Sequence, residues 1–122
     1  MQLYTCQVTK PELPREIGVP FIDTSIKSGW SQLAPSWEMV MGHKNNDPYW
    51  TDERYAAVFN EMMRKSYELD PDFWEDLLTS ETLCLGCWCK AGKFCHRLLL
   101  VDIIEAMCKE RGIDFEYCGE LK

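Results

Sequence analysis

The chain lacks any long hydrophobic run, internal repeat or low-complexity segment within its 122 residues. A membrane-spanning helix needs about 20 consecutive apolar residues, so the sequence argues against a membrane protein. The first residues, MQLYTCQV, also lack the basic start and apolar run of a secretory signal peptide. At this length we expect a single domain, residues 1–122, with a core of its own.

Positive charge is also scarce, because 13 Lys and Arg residues face 20 Asp and Glu residues and the net charge is -7. Proteins that bind duplex nucleic acid are usually basic, so this class of partner is disfavoured. The charges are unevenly distributed, since residues 82–101 contain no Asp or Glu. A small positive region on an acidic protein favours a small anionic ligand.

The seven cysteines are an odd number, which argues against a closed disulfide framework. Without a secretory signal, free thiols are expected in a reducing compartment. The sequence therefore predicts a soluble cytoplasmic protein. Five tryptophans and six methionines would serve a homodimer face as well as a core, so a homodimer stays open as a partner.

Four short apolar or alternating runs predict strands at residues 2–8, 19–22, 82–88 and 113–118. Between the first two strands, residues 10–18 contain two prolines and are predicted to form a loop.

Four helices are predicted from capping residues and apolar periodicity. One covers residues 34–44 with Ser36 as N-cap, and a second follows the N-cap Thr51. A third begins after Asp70, with Pro71 at its first position, and a fourth ends before Gly112. The order of elements predicts an α/β fold, a three-layer sandwich with a mainly parallel sheet of about four or five strands.

The segment CKAGKFCHR, residues 89–97, connects the third predicted strand to the fourth helix. Ligands in such folds bind outside the carboxyl ends of the strands, and the free N–H groups at a helix start favour anions. Gly92 would let the backbone approach a ligand closely. The segment therefore predicts phosphate binding by Cys89, Lys90, Gly92, Lys93, Cys95, His96 and Arg97; the alternative is a solvated basic loop that only caps the helix.

A second loop, DTSIKSG, follows the second predicted strand. Adjacent parallel strands end at the same edge of a sheet, so the two loops are expected to meet. The residues that would bind ribose or phosphate oxygens there are Thr24, Ser25, Lys27, Ser28 and Gly29. Asp23 is the nearby carboxylate suited to accept ribose hydroxyls or act as a base. An ordinary turn is the alternative.

Trp37 and Glu38 are candidates for stacking on a base and hydrogen-bonding to it, and Glu38 is also a candidate acid or base. A core role is the common alternative for aromatic residues on a short helix. Cys95 is a candidate nucleophile, because a helix start next to His96 and Arg97 would lower its pKa.

The spacing of Cys84, Cys87, Cys89, Cys95 and His96 is also compatible with zinc. In a continuous strand, however, Cys87 and Cys89 would share one face while Cys84 would point to the other. Convergence on a metal would require the strand to be broken. We therefore predict no metal and no other cofactor, and treat these cysteines as small buried side chains.

Four blocks in order, DTSIKSGW, LAPSWEMVMGHK, FNEMMRKSY and LGCWCKAGKFCHRLLLVDII, resemble the domain-of-unknown-function family 488, in the small form frequent in phage genomes. The similarity runs from about residue 22 to residue 105. It implies a compact α/β domain without an established activity, whose homologues are suspected of handling nucleotides. The motif residues that the resemblance implies are Lys27, Ser28, Gly29, Trp37, Glu38, Cys89, Cys95, His96 and Arg97.

The expected function is therefore to bind, and to sequester, a nucleotide or nucleotide-derived small molecule. For a phage-type protein, this would counter a host immune nucleotide signal. One alternative is an enzyme that processes a nucleoside, nucleotide or ADP-ribose-type compound, with Glu38 or Asp23 as acid or base. Another is a zinc-stabilised protein-interaction module. No pairing of nucleophile and base is evident in the sequence, which favours binding.

Overall fold

The computed structural model describes residues 1–90 and 92–122. Its single sheet contains four strands, which are β1 (Gln2–Gln7), β2 (Phe21–Asp23), β3 (Thr82–Cys87) and β4 (Glu116–Glu120). Every pair of neighbours is parallel, in the order β2-β3-β1-β4. The predicted parallel α/β sheet is confirmed, and β1 lies between the two strands joined by the last helix.

Two strands begin later than predicted. Pro20, which has no N–H, contributes only its carbonyl oxygen, which accepts a hydrogen bond from the Cys84 N–H before β2 begins. Ile113 still belongs to the preceding helix end, because its N–H donates to the Cys108 carbonyl while Gly112 adopts a positive φ of 68°. β4 consequently starts at Glu116 and extends to Glu120, past the predicted end.

The helices are α1 (Glu12–Glu16), α2 (Trp37–Lys44), α3 (Asp52–Leu69), α4 (Pro71–Leu78) and α5 (His96–Glu110), with a 3-10 turn at Ser31–Leu33. The predicted N-caps Ser36, Thr51 and Asp70 are confirmed, because each side chain accepts a backbone N–H at the third helical residue. None of the helices in residues 1–90 and 92–122 is long and apolar enough to cross a membrane.

The prediction that residues 10–18 form a loop is wrong, because α1 lies within them. Pro14 occupies the third position of this helix. N–H groups in the first turn have no helical partner, so a proline there removes no hydrogen bond.

The sheet has two unequal faces. Leu3, Leu83 and Leu85 alternate with residues of opposite orientation and join the main core. That core also contains the buried helical side chains Met39, Tyr55, Phe59, Met63, Trp74, Leu77, Leu78, Leu100, Val101, Ile104 and Cys108. The other face carries a smaller cluster of Cys6, Val19 and Cys84, with Tyr4, Phe21 and Leu121 packed against it.

All four strands end at the same side of the sheet, because they are parallel. We call the region formed by the loop after Asp23, the segment between Cys87 and α5, and the end of β4 the carboxyl edge. Ala91, in the predicted phosphate-binding loop, lies outside the described residues.

Candidate functional site

The loop after β2 is organised by the carboxylate of Asp23. Its Oδ1 accepts hydrogen bonds from the Ser25 N–H (2.9 Å) and the Ser25 hydroxyl (2.7 Å), and its Oδ2 accepts from the Ser28 hydroxyl (2.5 Å). The Trp30 N–H donates back to the Asp23 carbonyl oxygen. The hydroxyls of Ser25 and Ser28, both predicted to bind ligand oxygens, are therefore held in fixed positions beside the Asp23 carboxylate.

Gly29 closes this loop against its own backbone. A Cβ atom at this position would lie 2.3 Å from the Asp23 carbonyl oxygen and 2.6 Å from the Ser25 nitrogen. Because backbone atoms are close on two sides, Gly29→Ala is expected to displace the loop and lower the free energy of unfolding by about 1–3 kcal/mol. Chemical denaturation checks this against Lys27→Ala, which shortens an exposed side chain of the same loop. Equal stability of the two variants would contradict the assigned contact.

Thr24 and His96 connect this loop to the start of α5. The buried Thr24 hydroxyl donates to the Gly86 carbonyl oxygen at 2.9 Å, and the His96 Nε2 donates to the Thr24 carbonyl oxygen at 2.8 Å. Nearby, the indole N–H of Trp88 donates to the Ser28 hydroxyl at 3.3 Å. The predicted meeting of the two loops is confirmed by these contacts.

His96 is buried, and this burial lowers its pKa to about 4. The imidazole is therefore neutral near pH 7. Its contact with the Thr24 carbonyl oxygen places the proton on Nε2, which leaves Nδ1 as an acceptor 3.6 Å from the Cys95 sulfur. His96 therefore holds the two loops together through its hydrogen bond to Thr24 and supplies no positive charge near pH 7.

Arg97 lies beneath the surface, with 1% of its area exposed. Its Nε and Nη2 donate to the two Glu120 carboxylate oxygens at 3.2 and 2.9 Å. Its Nη1 donates to the Cys87 sulfur at 2.6 Å and to the Cys89 carbonyl oxygen at 3.0 Å. The sequence assigned Arg97 to a ligand phosphate, but here the guanidinium is engaged by protein groups, so direct contact would require Glu120 to move.

Glu120 is a residue of this site that the sequence analysis missed. Its carboxylate accepts a hydrogen bond from the Thr5 hydroxyl at 2.6 Å. The Thr5 hydroxyl oxygen in turn lies 2.6 Å from the Tyr117 hydroxyl oxygen. The predicted last strand ended at residue 118, two residues before Glu120. This chain of contacts connects Arg97, on α5, to Glu120 on β4 and to Thr5 on β1.

Cys87, Cys89 and Cys95 are brought together at the start of α5, with all three sulfur atoms within 4.8 Å of one another. β3 ends at Cys87, so the break that convergence requires is present and Cys89 turns toward Cys95. Cys84 points to the opposite face beside Cys6, as the strand alternation predicts. The sulfurs of Cys87 and Cys95 are in direct contact, although the Cα atoms of these residues are 8.0 Å apart, beyond the usual span of a disulfide.

The remaining candidates are at the surface. Lys27, Lys90, Gly92 and Lys93 are exposed, and Gly92 has a φ of 82° that suits glycine. Trp37 and Glu38 are exposed at the start of α2. α2 contacts the segment between Cys87 and α5 instead, through its last turn, where the centroids of the His43 and Phe94 rings are 4.9 Å apart.

Two shallow depressions occur elsewhere on the protein. The first has a volume of about 360 Å³ and is lined by residues that include Met1, Glu75 and Glu81, near the amino ends of the strands. The second, about 350 Å³, lies between α3, α4 and α5 beside Tyr67 and Arg111. Neither depression is lined by a residue of the carboxyl edge. The candidate site is therefore identified by the side chains and hydrogen bonds of the carboxyl edge.

The family model described as "Active DUF488-N3 subclade" matches residues 4–108. The matched range includes both loops, the three clustered cysteines and nearly all of α5, but it ends before β4. The chain has no significant match among curated proteins or among solved structures.

Proposed function

We propose, given that this chain belongs to the DUF488-N3a family of domain-of-unknown-function 488 proteins, that it binds a nucleotide or nucleotide-derived small molecule at its carboxyl edge. The observation that carries this proposal is the pair of Thr24–His96 contacts, at 2.8 and 3.0 Å, which place the hydroxyl-bearing loop beside the start of α5. Groups suited to ribose and groups suited to phosphate consequently share one surface.

The phosphates would lie at the start of α5. Cys95 is the N-cap, and its side chain makes no capping hydrogen bond, so it does not compete for the first N–H groups of the helix. These N–H groups and the positive end of the helix dipole favour an anion. Lys90 and Lys93 are exposed on the preceding segment, and Lys27 is exposed on the neighbouring loop. Arg97 supports this surface from below through Cys87 and Cys89.

The ribose and base would lie over the loop after Asp23. The hydroxyls of Ser25 and Ser28 and the carboxylate of Asp23 offer the donors and acceptors that sugar hydroxyls need. The indole N–H of Trp88 donates a hydrogen bond to the Ser28 hydroxyl, and 51% of the surface of Trp88 is exposed. The ring is therefore available to stack on a base. Trp37, which the sequence favoured for this role, is equally exposed but lies on α2.

These two tryptophans provide a matched test. Trp88→Ala is expected to weaken binding of the most tightly retained nucleotide by about 1–3 kcal/mol, the range for stacking of a base on an aromatic ring. Trp37→Ala, with a similar exposed fraction, is expected to bind as the wild type does. Isothermal titration calorimetry of both variants checks this, and a loss confined to Trp37→Ala would instead place the base on α2.

Turnover of the ligand is the second candidate function, and it is favoured by the description of the subclade as active. Asp23 is the carboxylate closest to the proposed ribose position and would act as the base; Glu38 is the other candidate. If the ligand is only bound, sequestration of a host immune nucleotide by a phage-type protein is the role that fits. In either case we propose a cytoplasmic location, because an odd number of cysteines, five of them free thiols, suits a reducing compartment.

A further inference from the structure

We infer that Cys87, Cys89 and Cys95 form a binding site for one Zn²⁺ ion, whose fourth coordination position is open to solvent. This inference is independent of the nucleotide proposal, because it rests on the three sulfur atoms and on the groups that surround them.

The spacing of the sulfur atoms suits a tetrahedral thiolate site. With Zn–S bonds of about 2.3 Å, two sulfur ligands of one ion are about 3.8 Å apart. The Cys87 and Cys95 sulfurs are in direct contact and all three sulfurs lie within 4.8 Å of one another, so side-chain rotations that separate the first pair bring the three to this distance. A metal ion also bridges a wider backbone separation than a disulfide does, which fits the 8.0 Å between the Cα atoms of Cys87 and Cys95.

The charges around the cluster fit a dication. Three thiolates and the Glu120 carboxylate carry four negative charges and the Arg97 guanidinium neutralises one, so a Zn²⁺ ion would lower the remaining negative charge from three to one. Nη1 of Arg97 lies 2.6 Å from the Cys87 sulfur and 3.6 Å from the Cys95 sulfur, and it also donates to the Cys89 carbonyl. Hydrogen bonds from outer groups of this kind orient the ligands of a metal site.

The position of the cluster leaves one side open. Cys87 and Cys95 are buried, whereas Cys89 is exposed, so the sulfurs lie at the boundary between core and solvent. Among residues 1–90 and 92–122, no fourth Cys, His, Asp or Glu ligand atom lies within 4.8 Å of all three sulfurs. The fourth ligand would therefore be water or an oxygen of a bound molecule, as in zinc sites that exchange ligands.

The test is a metal titration of the full chain, prepared with a chelator and a reductant and then freed of both. We expect one equivalent of Zn²⁺ to bind, and Co²⁺ to give the sulfur-to-cobalt absorption of a site with several thiolates. Cys89→Ser replaces one exposed sulfur with oxygen and should keep the fold. It is expected to weaken Zn²⁺ binding by more than the roughly 10–100-fold typical of losing an outer partner.

Cys118→Ser, which changes a partly exposed cysteine outside the cluster, is the matched control and should bind Zn²⁺ as the wild type does. The inference is overturned if the wild type binds no stoichiometric Zn²⁺, or if Cys89→Ser matches its affinity. A Cys87–Cys95 disulfide that persists in the freshly reduced protein would overturn it as well.

Discussion

Replacing Arg97 with methionine is expected to lower the free energy of unfolding by about 3–5 kcal/mol, the usual cost of removing one partner from a buried ion pair. Arg97 is 1% exposed and holds both oxygens of Glu120. Methionine fills much of the same volume, so the loss is mainly electrostatic. The Glu120 carboxylate and the Cys87 sulfur would each lose a donor in a largely buried position.

Urea denaturation with a reductant and a chelator measures this effect without a contribution from metal. Arg64→Met is the control, because Arg64 pairs with Glu61 and Glu68 on the exposed side of α3, and such surface pairs contribute about 0–1 kcal/mol. The double variant Arg97→Met, Glu120→Gln should recover part of the lost stability, because it also removes the unpaired negative charge of Glu120. If Arg97→Met and Arg64→Met were equally stable, the buried ion pair would be contradicted.

Acidification is expected to destabilise the protein through His96 by an amount on the order of 3 kcal/mol. Burial lowers the pKa of this imidazole from 6.5 to about 4, and each pKa unit corresponds to about 1.4 kcal/mol. The unfolded chain binds the proton more readily, so the stabilisation is present above pH 6.5. It is lost as the pH falls from 6.5 toward 4, where the folded form is also protonated.

Stability measured across this pH range in wild type and in His96→Gln isolates the effect. Gln keeps a side-chain N–H that can donate to the Thr24 carbonyl oxygen but does not titrate, so its stability should fall less over the same interval. Carboxylates titrate in both proteins and cancel in the comparison. Parallel profiles for the two proteins would show that His96 is not held neutral in the folded state.

The elements that the sequence predicted correctly are those whose signals are local. Ser36, Thr51 and Asp70 each cap a helix within three residues of themselves, and the apolar run of β3 is continuous. The meeting of the two loops also followed from the sequence, since parallel strands end at one edge. The hydrogen bond between His96 and the Thr24 carbonyl oxygen, which joins the loops, is visible only in the structure.

The roles that were missed depend on distant residues. Arg97 is buried because β4 carries Glu120 to it, and these residues are 23 positions apart, one on α5 and the other on β4. No local pattern encodes that contact. A metal site was disfavoured on the condition that the strand continued through Cys89, but the strand ends at Cys87 and the chain turns, which places the three sulfurs together. Trp88 was treated as a strand residue for the same reason.

One incubation tests the proposed function most directly. The purified protein would be mixed with a panel of nucleotides that includes cyclic and ADP-ribose-derived compounds, and both the filtrate and the heat-released fraction would be chromatographed. We expect one compound to be depleted from the filtrate and recovered intact on heating, or to be converted to a product if the ligand is turned over. If every compound stayed free and unchanged, the carboxyl edge would not be a nucleotide site.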